Sequence, residues 1–231
     1  MGKALYEYNR DFFSTIDTEE KAYWLGFISA DGNVSKTMKN MRINLNIKDK
    51  AHLEKFRESI SGNQPIKESI REKNHSVYID MNSKKICSDL QKYGVTPNKS
   101  LTLNVHFDLI PQQLIHHFIR GYFDGDGSIN LYTRPPYFYE EWELSFISTE
   151  KMLLFFQKQF GISHKLYSCG KNYRFGYRSK KDIESAIHYM YDDATIFLDR
   201  KYEKALKFLT PPETTKRHPI KDEGIVQTTT M

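Results

Sequence analysis

The sequence predicts an α+β protein in which two copies of one unit follow each other along the chain. Runs in which apolar and polar residues alternate, typical of strands with one buried face, come between runs with the apolar spacing of helices. The order of these runs in the first half repeats in the second half as α-β-β-α-β-β-α. A helix in each half ends in an Asp-Gly pair, at Asp31 and at Asp126, 95 positions apart. The predicted segments are an N-terminal extension (1–16), a first repeat (17–106), a second repeat (107–210) and a C-terminal tail (211–231) that is expected to be flexible.

The composition is that of a globular protein with a substantial core. Hydrophobic residues make up 39% of the 231 residues and aromatic residues 14%, which excludes wholesale disorder. The formal net charge of +5 permits a polyanionic partner without requiring one. No stretch approaches the roughly 20 apolar residues of a membrane span, and the first residues lack the apolar core of a signal peptide. We therefore expect a protein of the cytoplasm or of an organelle, mitochondrion or chloroplast, that is not secreted and has no membrane partner.

Cysteine and histidine give no sign of a disulfide scaffold or a structural zinc site. Cys87 and Cys169 stand in no CxxC motif. His116 and His117 lack the spacing and the companion ligands of a zinc site, and we expect them on the helix that leads into the second Asp-Gly pair.

The first repeat opens with a helix that Asp17 caps, with Glu20 at the position that closes a capping box. This helix ends at Asp31. The remaining predicted elements are a strand over 41–48 with strictly alternating residues, a helix from Asp49 to Ile60, strands over 66–73 and 76–82, and a helix over 83–93.

The second repeat opens at Pro111, a residue tolerated in the first turn of a helix. Apolar residues at helical spacing then lead into the run from Asp124 to Gly127. An EF-hand interpretation of this run fails, because Ile129 and Pro135 stand where a calcium loop requires Gly and Glu. The remaining predicted elements are strands over 128–134 and 141–147, a helix over 149–160, a hairpin of 165–169 and 173–178, and a helix over 181–191.

Small residues recur four positions apart in both Asp-Gly helices, as Gly26 with Ala30 and as Gly121 with Gly125. A glycine inside a helix costs about 1 kcal/mol relative to alanine, so its presence in both copies requires a compensating gain. Close approach of two helix backbones supplies that gain. We therefore expect the two helices to pack against each other about a pseudo-twofold axis, at the interface of the two repeats.

This packing would bring Asp31 and Asp126 together at two helix C-termini. The helix dipole is negative there, and two like charges disfavour each other's ionisation, so a divalent cation is expected to neutralise them. Oxygen ligands select a hard ion such as Mg²⁺. The alternative interpretation, that each Asp-Gly pair only ends a helix in a turn, explains one copy better than two matched copies.

The segments Gly26–Gly32 (GFISADG) and Gly121–Gly127 (GYFDGDG) together resemble the signature of the two-repeat LAGLIDADG homing endonucleases. The second copy is the closer match. The first has the bulkier Trp24, Leu25 and Phe27, and it has Ser29 where the first acidic residue of the signature would stand. The resemblance extends over about residues 17–209, because the segments 94–100 and 198–204 are also similar to those of the family.

This resemblance implies a monomeric, site-specific endonuclease that hydrolyses phosphodiester bonds of double-stranded DNA and derives from a mobile intron or a free-standing mobile gene. It implies a saddle of two antiparallel sheets that straddles the DNA, with Mg²⁺, for which Mn²⁺ can substitute, held under the minor groove. The implied metal ligands are Asp31, Asp126 and the peptide oxygens of Ala30 and Gly125. The implied cations near the scissile phosphate are Lys99 and Lys201, although each also fits an ordinary surface lysine. Asp49 and Ser148 stand at strand-to-helix junctions and could orient water, but N-capping alone also explains them.

The polar faces of the predicted strands carry donors suited to base edges and phosphates. For any single residue, an ordinary solvated sheet face is an equally good explanation, but the set as a whole favours DNA. The predicted DNA-binding residues are Asn33, Ser35, Thr37, Lys39, Arg42, Asn44, Asn46, Lys48, Lys67, Ser69, Arg71 and Lys73 in the first repeat, and Ser128, Asn130, Tyr132, Arg134, Lys165, Tyr167, Arg174 and Arg178 in the second.

Two other functions fit the same scaffold. One is a maturase that binds intron RNA and assists its splicing, and the other is a DNA-binding regulator that does not cleave. The presence of an aspartate in both copies of the motif favours the enzyme over the regulator. The RNA surface of a maturase would leave no local motif.

Overall fold

The computed structural model describes residues 6–71, 74–134 and 139–210, and within them each repeat has the predicted order of three helices and four strands. The first repeat consists of α1 (Glu19–Asp31), β1 (Gly32–Val34), β2 (Met41–Asn46), α2 (Lys50–Ser59), β3 (Lys67–Arg71), β4 (Asn74–Met81) and α3 (Lys84–Lys92). The second consists of α4 (Ile115–Asp126), β5 (Ser128–Arg134), β6 (Tyr139–Ser148), α5 (Glu150–Phe160), β7 (Tyr167–Cys169), β8 (Asn172–Tyr177) and α6 (Lys180–Tyr191). A further helix, α7 (Asp199–Leu209), follows α6 and is absent from the sequence-based prediction.

Each repeat contains one antiparallel sheet of four strands, in the orders β1-β2-β4-β3 and β5-β6-β8-β7. Burial alternates along β2, where Met41, Ile43 and Leu45 are buried and the residues between them are exposed. The register pairs Ile43 with Ile79 of β4, so apolar side chains meet on one face of the sheet. The predicted α+β class with two antiparallel sheets is confirmed.

The helices α1 and α4 pack against each other with very little space between their backbones. A Cβ atom added to Gly26 would lie 2.0 Å from the carbonyl oxygen of Phe118, and one added to Gly121 would lie 1.9 Å from that of Tyr23. Since no side chain fits at these distances, glycine is required at both positions. The predicted packing of the two helices at the interface of the repeats is confirmed.

The first turn of α1 differs from the prediction. Thr18 rather than Asp17 is the N-cap residue, and its hydroxyl accepts a hydrogen bond from the Lys21 amide at 3.3 Å. The carboxylate of Asp17 instead accepts a bond from the ammonium of Lys21 at 2.6 Å. A charged partner one helical turn away therefore draws Asp17 away from the capping position.

The hydrophobic core lies between each sheet and its helices. Phe12, Phe13 and Ile16 of the N-terminal segment are buried in it. The amide of Asn9 donates to the carbonyl of Ile60 at 2.8 Å and ties this segment to the end of α2. The helices around the core are short, and in the part of the chain that the structure describes none is long and apolar enough to cross a membrane.

Candidate active site

Asp31 and Asp126 are the last residues of α1 and α4, and both line one cavity of about 460 Å³. The contact between the two helices therefore brings together one carboxylate from each repeat. Ser148 and Tyr122 of the second repeat and Lys99 of the first repeat also line this cavity.

The surroundings of the two carboxylates disfavour their ionisation. Desolvation by the surrounding protein, followed by repulsion from Asp126, raises the pKa of Asp31 to about 6, although Lys201, Lys99 and Arg200 oppose the rise. Desolvation also raises the pKa of Asp126, against the opposing effect of Lys99 and Lys201. Both residues are exposed at the surface, so a cation can reach them.

These residues fit a divalent metal ion. The two carboxylates supply oxygen ligands of the kind that Mg²⁺ prefers, and they lie where two helix dipoles add further negative potential. The carbonyl oxygens of Ala30 and Gly125 precede the two aspartates directly and are available in the same region, each also accepting a bond from a lysine.

Lys99 follows Asn98, whose backbone is in the left-handed region with φ of 58°, and it begins a short 3₁₀ turn. Its ammonium donates to the carbonyl oxygen of Ala30 at 2.7 Å. The side chain is buried, and desolvation lowers its pKa. Lys99 therefore places a positive charge at the C-terminus of α1.

Lys201 lies in the first turn of α7 and occupies the corresponding place at the C-terminus of α4. Its ammonium donates to the carbonyl oxygens of Phe123 and Gly127, both at 2.6 Å, and to that of Gly125 at 3.2 Å. Burial lowers the pKa of Lys201 to about 8. Both predicted lysines thus bind the C-terminal ends of α1 and α4. Lys201 does so through three hydrogen bonds and Lys99 through one.

Asp49 and Ser148 have partners that the capping explanation did not foresee. Asp49 precedes α2 but caps no amide, and its two carboxylate oxygens accept from Nε of Arg200 at 2.9 and 3.1 Å. Ser148 precedes Thr149, the actual N-cap position of α5, and accepts a bond from the hydroxyl of Tyr122 at 2.8 Å. N-capping is therefore wrong as an explanation for both side chains.

Asp124, two positions before Asp126, is a buried carboxylate that holds several elements together. It accepts hydrogen bonds from the hydroxyls of Tyr23 and Tyr191 at 2.7 and 2.8 Å and from the amide of Leu198 at 2.7 Å. Desolvation raises its pKa. The amide of Leu198 begins the segment that carries Lys201, so Asp124 fixes the position of that lysine.

In the first repeat, most of the predicted DNA-binding residues lie on the exposed face of the sheet or at its rim. Asn33 pairs with Arg42 across β1 and β2, and β3 presents Lys67, Ser69 and Arg71 on the same sheet. Ser35, Thr37 and Lys39 lie in the connection from β1 to β2, Asn44 and Asn46 lie in β2, and Lys48 lies in the short turn after it, whereas Lys73 lies outside the described residues.

Arg42 is held rather than free on this face. Its guanidinium donates to both carboxylate oxygens of Asp80, at 2.7 and 2.9 Å, and its centre lies 4.2 Å from that of the Tyr78 ring. Asn46 is also engaged locally, because its side chain accepts from the Lys48 amide at 3.1 Å. Asn44 lines a groove with Arg42 and with polar side chains of β3 and β4.

In the second repeat, the predicted residues share their surface with acidic groups. Arg174 and Arg178 both bind the carboxylate of Glu143, which is buried, and Arg178 does so at 2.8 Å. The predicted set misses Glu143, since a lone glutamate in an alternating strand gives no sign of its partners. Lys165 and Tyr167 line the groove beside this cluster, Ser128, Asn130 and Tyr132 lie in β5, and Arg134 ends that strand.

In the structure, Asp193 lies beside His116 and His117. Each of the three residues offers one potential metal-ligand atom, and these atoms lie within 4.8 Å of one another. Arg120 donates to Nδ1 of His117 at 2.9 Å, and this arginine is held by Glu19 and by backbone carbonyls. Desolvation lowers the pKa of His117 to about 4, so the ring is neutral. Its proton then lies on Nε2, which leaves no lone pair toward the other two residues. The group does not fit a zinc site.

Residues 18–92 match the model of the LAGLIDADG-like domain. An uncharacterized protein of Methanocaldococcus jannaschii is 28% identical over 166 residues, which are 68% of this chain and 60% of that relative. The chain therefore spans less than two thirds of the length of this relative.

Two solved structures resemble most of the chain. The LAGLIDADG homing endonuclease I-GzeII, in complex with its DNA target, has a TM-score of 0.57 at 19% identity, over 84% of this chain and 89% of that chain. The meganuclease I-SmaMI, bound to uncleavable DNA, has a TM-score of 0.59 at 14% identity, over 84% and 88%. At such identities the likeness concerns the fold. Residues 18–92 thus match the LAGLIDADG-like domain, and most of the chain has the two-repeat fold of the solved LAGLIDADG homing endonucleases.

Proposed function

We propose that this protein is a site-specific endonuclease that hydrolyses phosphodiester bonds in both strands of a DNA duplex with the help of a divalent metal ion. The observation that carries the proposal is the meeting of Asp31 and Asp126, one from each repeat, at adjacent helix ends in one cavity. Two polar sheet faces flank these helices, and the two solved relatives named above were both determined with DNA.

In this proposal, Asp31 and Asp126 hold Mg²⁺, or Mn²⁺ in its place, with the carbonyl oxygens of Ala30 and Gly125 beside them. The bound metal would polarise the scissile phosphate and stabilise the leaving oxygen. The protein itself positions the duplex through the polar sheet faces and lowers the negative potential at the helix ends with the buried ammonium of Lys99.

Because one chain supplies both carboxylates, we propose that the enzyme acts as a monomer. The resemblance to homing endonucleases extends the proposal to an origin in a mobile intron or a free-standing mobile gene.

The test is incubation of the purified protein with a library of randomised duplexes and Mg²⁺, followed by sequencing of the cut ends. We expect defined cuts at one family of sequences, and none with Asp31→Asn or Asp126→Asn. Asp108→Asn, which changes an exposed aspartate that does not line the cavity, is the matched control and should cut like the wild type. Binding without cuts by the wild type would instead support the regulator, and selective binding to structured intron RNA would support the maturase.

A further inference from the structure

We propose that the two halves of the site present different cations to the DNA backbone: Lys99 in the first half, and Arg200 rather than Lys201 in the second. This inference rests on the proposed function and deepens it, since it assigns the residues that face each strand. The sequence resemblance implies equivalent roles for Lys99 and Lys201, whereas their hydrogen bonds in the structure are not equivalent.

The ammonium of Lys201 is fully used by the protein. An ammonium has three N–H donors, and those of Lys201 have three carbonyl acceptors at the end of α4: Phe123, Gly125 and Gly127. To contact a phosphate, Lys201 would have to give up at least one of these bonds and leave a carbonyl at a helix C-terminus without its partner. Lys201 is therefore a positioning residue that closes the end of α4.

The ammonium of Lys99 is used only in part. It donates to Ala30 at 2.7 Å, and within the described ranges 6–71, 74–134 and 139–210 no other protein acceptor is bound to it. The side chain also lines the cavity that contains Asp31 and Asp126. Two N–H donors can thus turn toward a phosphate in that cavity while the bond to α1 is kept.

In the second half, Arg200 rather than Lys201 has N–H donors available for a phosphate. Its Nε binds both carboxylate oxygens of Asp49, while about half of its side chain is exposed against 9% for that of Asp49. The buried carboxylate thus fixes the inner edge of the guanidinium, and within the described residues its two terminal nitrogens have no protein acceptor. A guanidinium held in this way offers a planar pair of donors to a phosphate. It also lies close enough to Asp31 to interact with it electrostatically.

The first repeat has no counterpart of this pair. The residue before Lys99 is Asn98, which carries no charge, whereas the residue before Lys201 is Arg200. The two strands of the duplex would therefore meet an ammonium on one side and an anchored guanidinium on the other. We expect the loss of either cation to slow cleavage of one strand selectively, and the two losses to affect opposite strands.

A first experiment requires no DNA and compares Lys201→Met with Lys99→Met by thermal unfolding. Lys201→Met removes three hydrogen bonds and should lower the Tm by about 5 °C or more, whereas Lys99→Met removes one and should lower it less. If Lys99→Met lowers the Tm as much as Lys201→Met, the structural assignment of Lys201 is wrong.

A second experiment measures binding to a labelled duplex of about 30 base pairs, roughly three helical turns, at several salt concentrations in Ca²⁺. Lys99→Met and Arg200→Gln should each reduce the salt dependence by about one unit of slope, because each removes one cation from the phosphates. Lys84→Met, an exposed lysine on α3, is the control. An unchanged slope for Arg200→Gln, or a slope reduced by folded Lys201→Met, would overturn the proposal whether or not the protein cleaves DNA.

A third experiment uses a duplex recovered by the library selection, with a different label on each strand. Lys99→Met and Arg200→Gln should each slow one strand by about 100-fold, on opposite strands, and Arg200→Lys should restore part of the lost rate. Equal slowing of both strands by either variant contradicts the inference. If the selection yields no cut duplex, the proposed endonuclease fails while the first two experiments still decide the roles of Lys201 and Arg200.

Discussion

The two repeats share their element order and the Asp-Gly end of their first helix, but they differ two residues before the aspartate. In the first repeat, the hydroxyl of Ser29 donates to the carbonyl of Leu25 at 2.7 Å, a bond within its own helix. In the second, Asp124 binds Tyr23, Tyr191 and the Leu198 amide, and so joins α1, α4, α6 and the start of α7. The same position therefore bonds only within its own helix in the first repeat, whereas in the second repeat it joins several elements of the fold.

The same asymmetry extends to the lysines and to the outer faces of the sheets. Lys201 has three carbonyl partners and Lys99 has one. The second sheet holds Arg174 and Arg178 with the buried Glu143, whereas Arg42 of the first sheet binds the more exposed Asp80. The comparison shows that a duplicated fold keeps the geometry of the two carboxylates while their surroundings diverge.

The largest expected effect is the loss of cleavage when either of the two aspartates that the repeats share is replaced. Asp31→Asn and Asp126→Asn should each abolish cleavage of both strands, because each removes a proposed metal ligand, and each should leave the fold and most of the DNA affinity intact. Gel analysis of cut products and anisotropy binding measure the two properties. Full cleavage by either variant would show that the two aspartates are not equivalent metal ligands.

The next effect concerns the contact between the repeats. Gly26→Leu or Gly121→Leu should destabilise the protein by about 3 kcal/mol or more, because an added side chain meets the backbone of the facing helix rather than a flexible side chain. Chemical denaturation measures the loss. Ala51→Leu, on the exposed side of α2, is the control and should change stability little. Wild-type stability of the glycine variants would mean that the helices are further apart.

Asp124 and Ser29 provide a sharper comparison of the two copies. Asp124→Asn places an amide donor against three donors and should cost about 2–4 kcal/mol, whereas Ser29→Ala should cost less than about 1 kcal/mol. Denaturant unfolding of the two variants side by side measures the difference. If both variants lose the same free energy of unfolding, Asp124 is no more important for tertiary structure than Ser29.

Base recognition on the first sheet should show smaller and more local effects. Arg42→Ala or Asn44→Ala should relax the preference at particular base pairs of one half-site by about 1–3 kcal/mol each, because these side chains share the exposed face of β2. Loss of Lys48, nearer the helix, should instead weaken binding to all sequences alike. Binding-site selection with each variant measures both effects, and an unchanged preferred sequence for Arg42→Ala and Asn44→Ala would exclude β2 from base recognition.

The pH dependence of stability should reveal the ionisation of Asp31 without any DNA. The folded protein raises the pKa of Asp31 from 3.8 to about 6, so the folded state binds the proton more tightly than the unfolded state does. Without metal, the contribution of Asp31 to stability is therefore lost as the pH rises from about 3.8 to about 6. Mg²⁺ should reverse this loss, because it binds the ionised carboxylate. Tm measurements across this range should show that Asp31→Asn flattens the profile, and an unchanged profile contradicts the assignment.

Much of this arrangement follows from local sequence, and the rest does not. Alternation in β2 predicts one sheet face, and small residues four positions apart in each helix, Gly26 with Ala30 and Gly121 with Gly125, predict the contact between helices. Both patterns depend on residues only a few positions apart. The bond of Arg200 to Asp49 joins residues 151 positions apart, and no periodicity indicates such a pair. The three carbonyl partners of Lys201 are likewise set by how α7 approaches α4.

The pair of Asp49 and Arg200 bears on how a duplicated chain can evolve. A symmetric dimer made of two first repeats would contain Asp49 twice and Asn98 in place of both guanidinium groups. Each of its buried carboxylates would then lack a charged partner, a costly state for a folded protein. Once such a cross-repeat pair is present, neither half can be replaced by a copy of the other without a penalty. The pair therefore favours keeping both halves in one chain, where each can diverge. In the proposed function, such a chain can recognise an asymmetric DNA site.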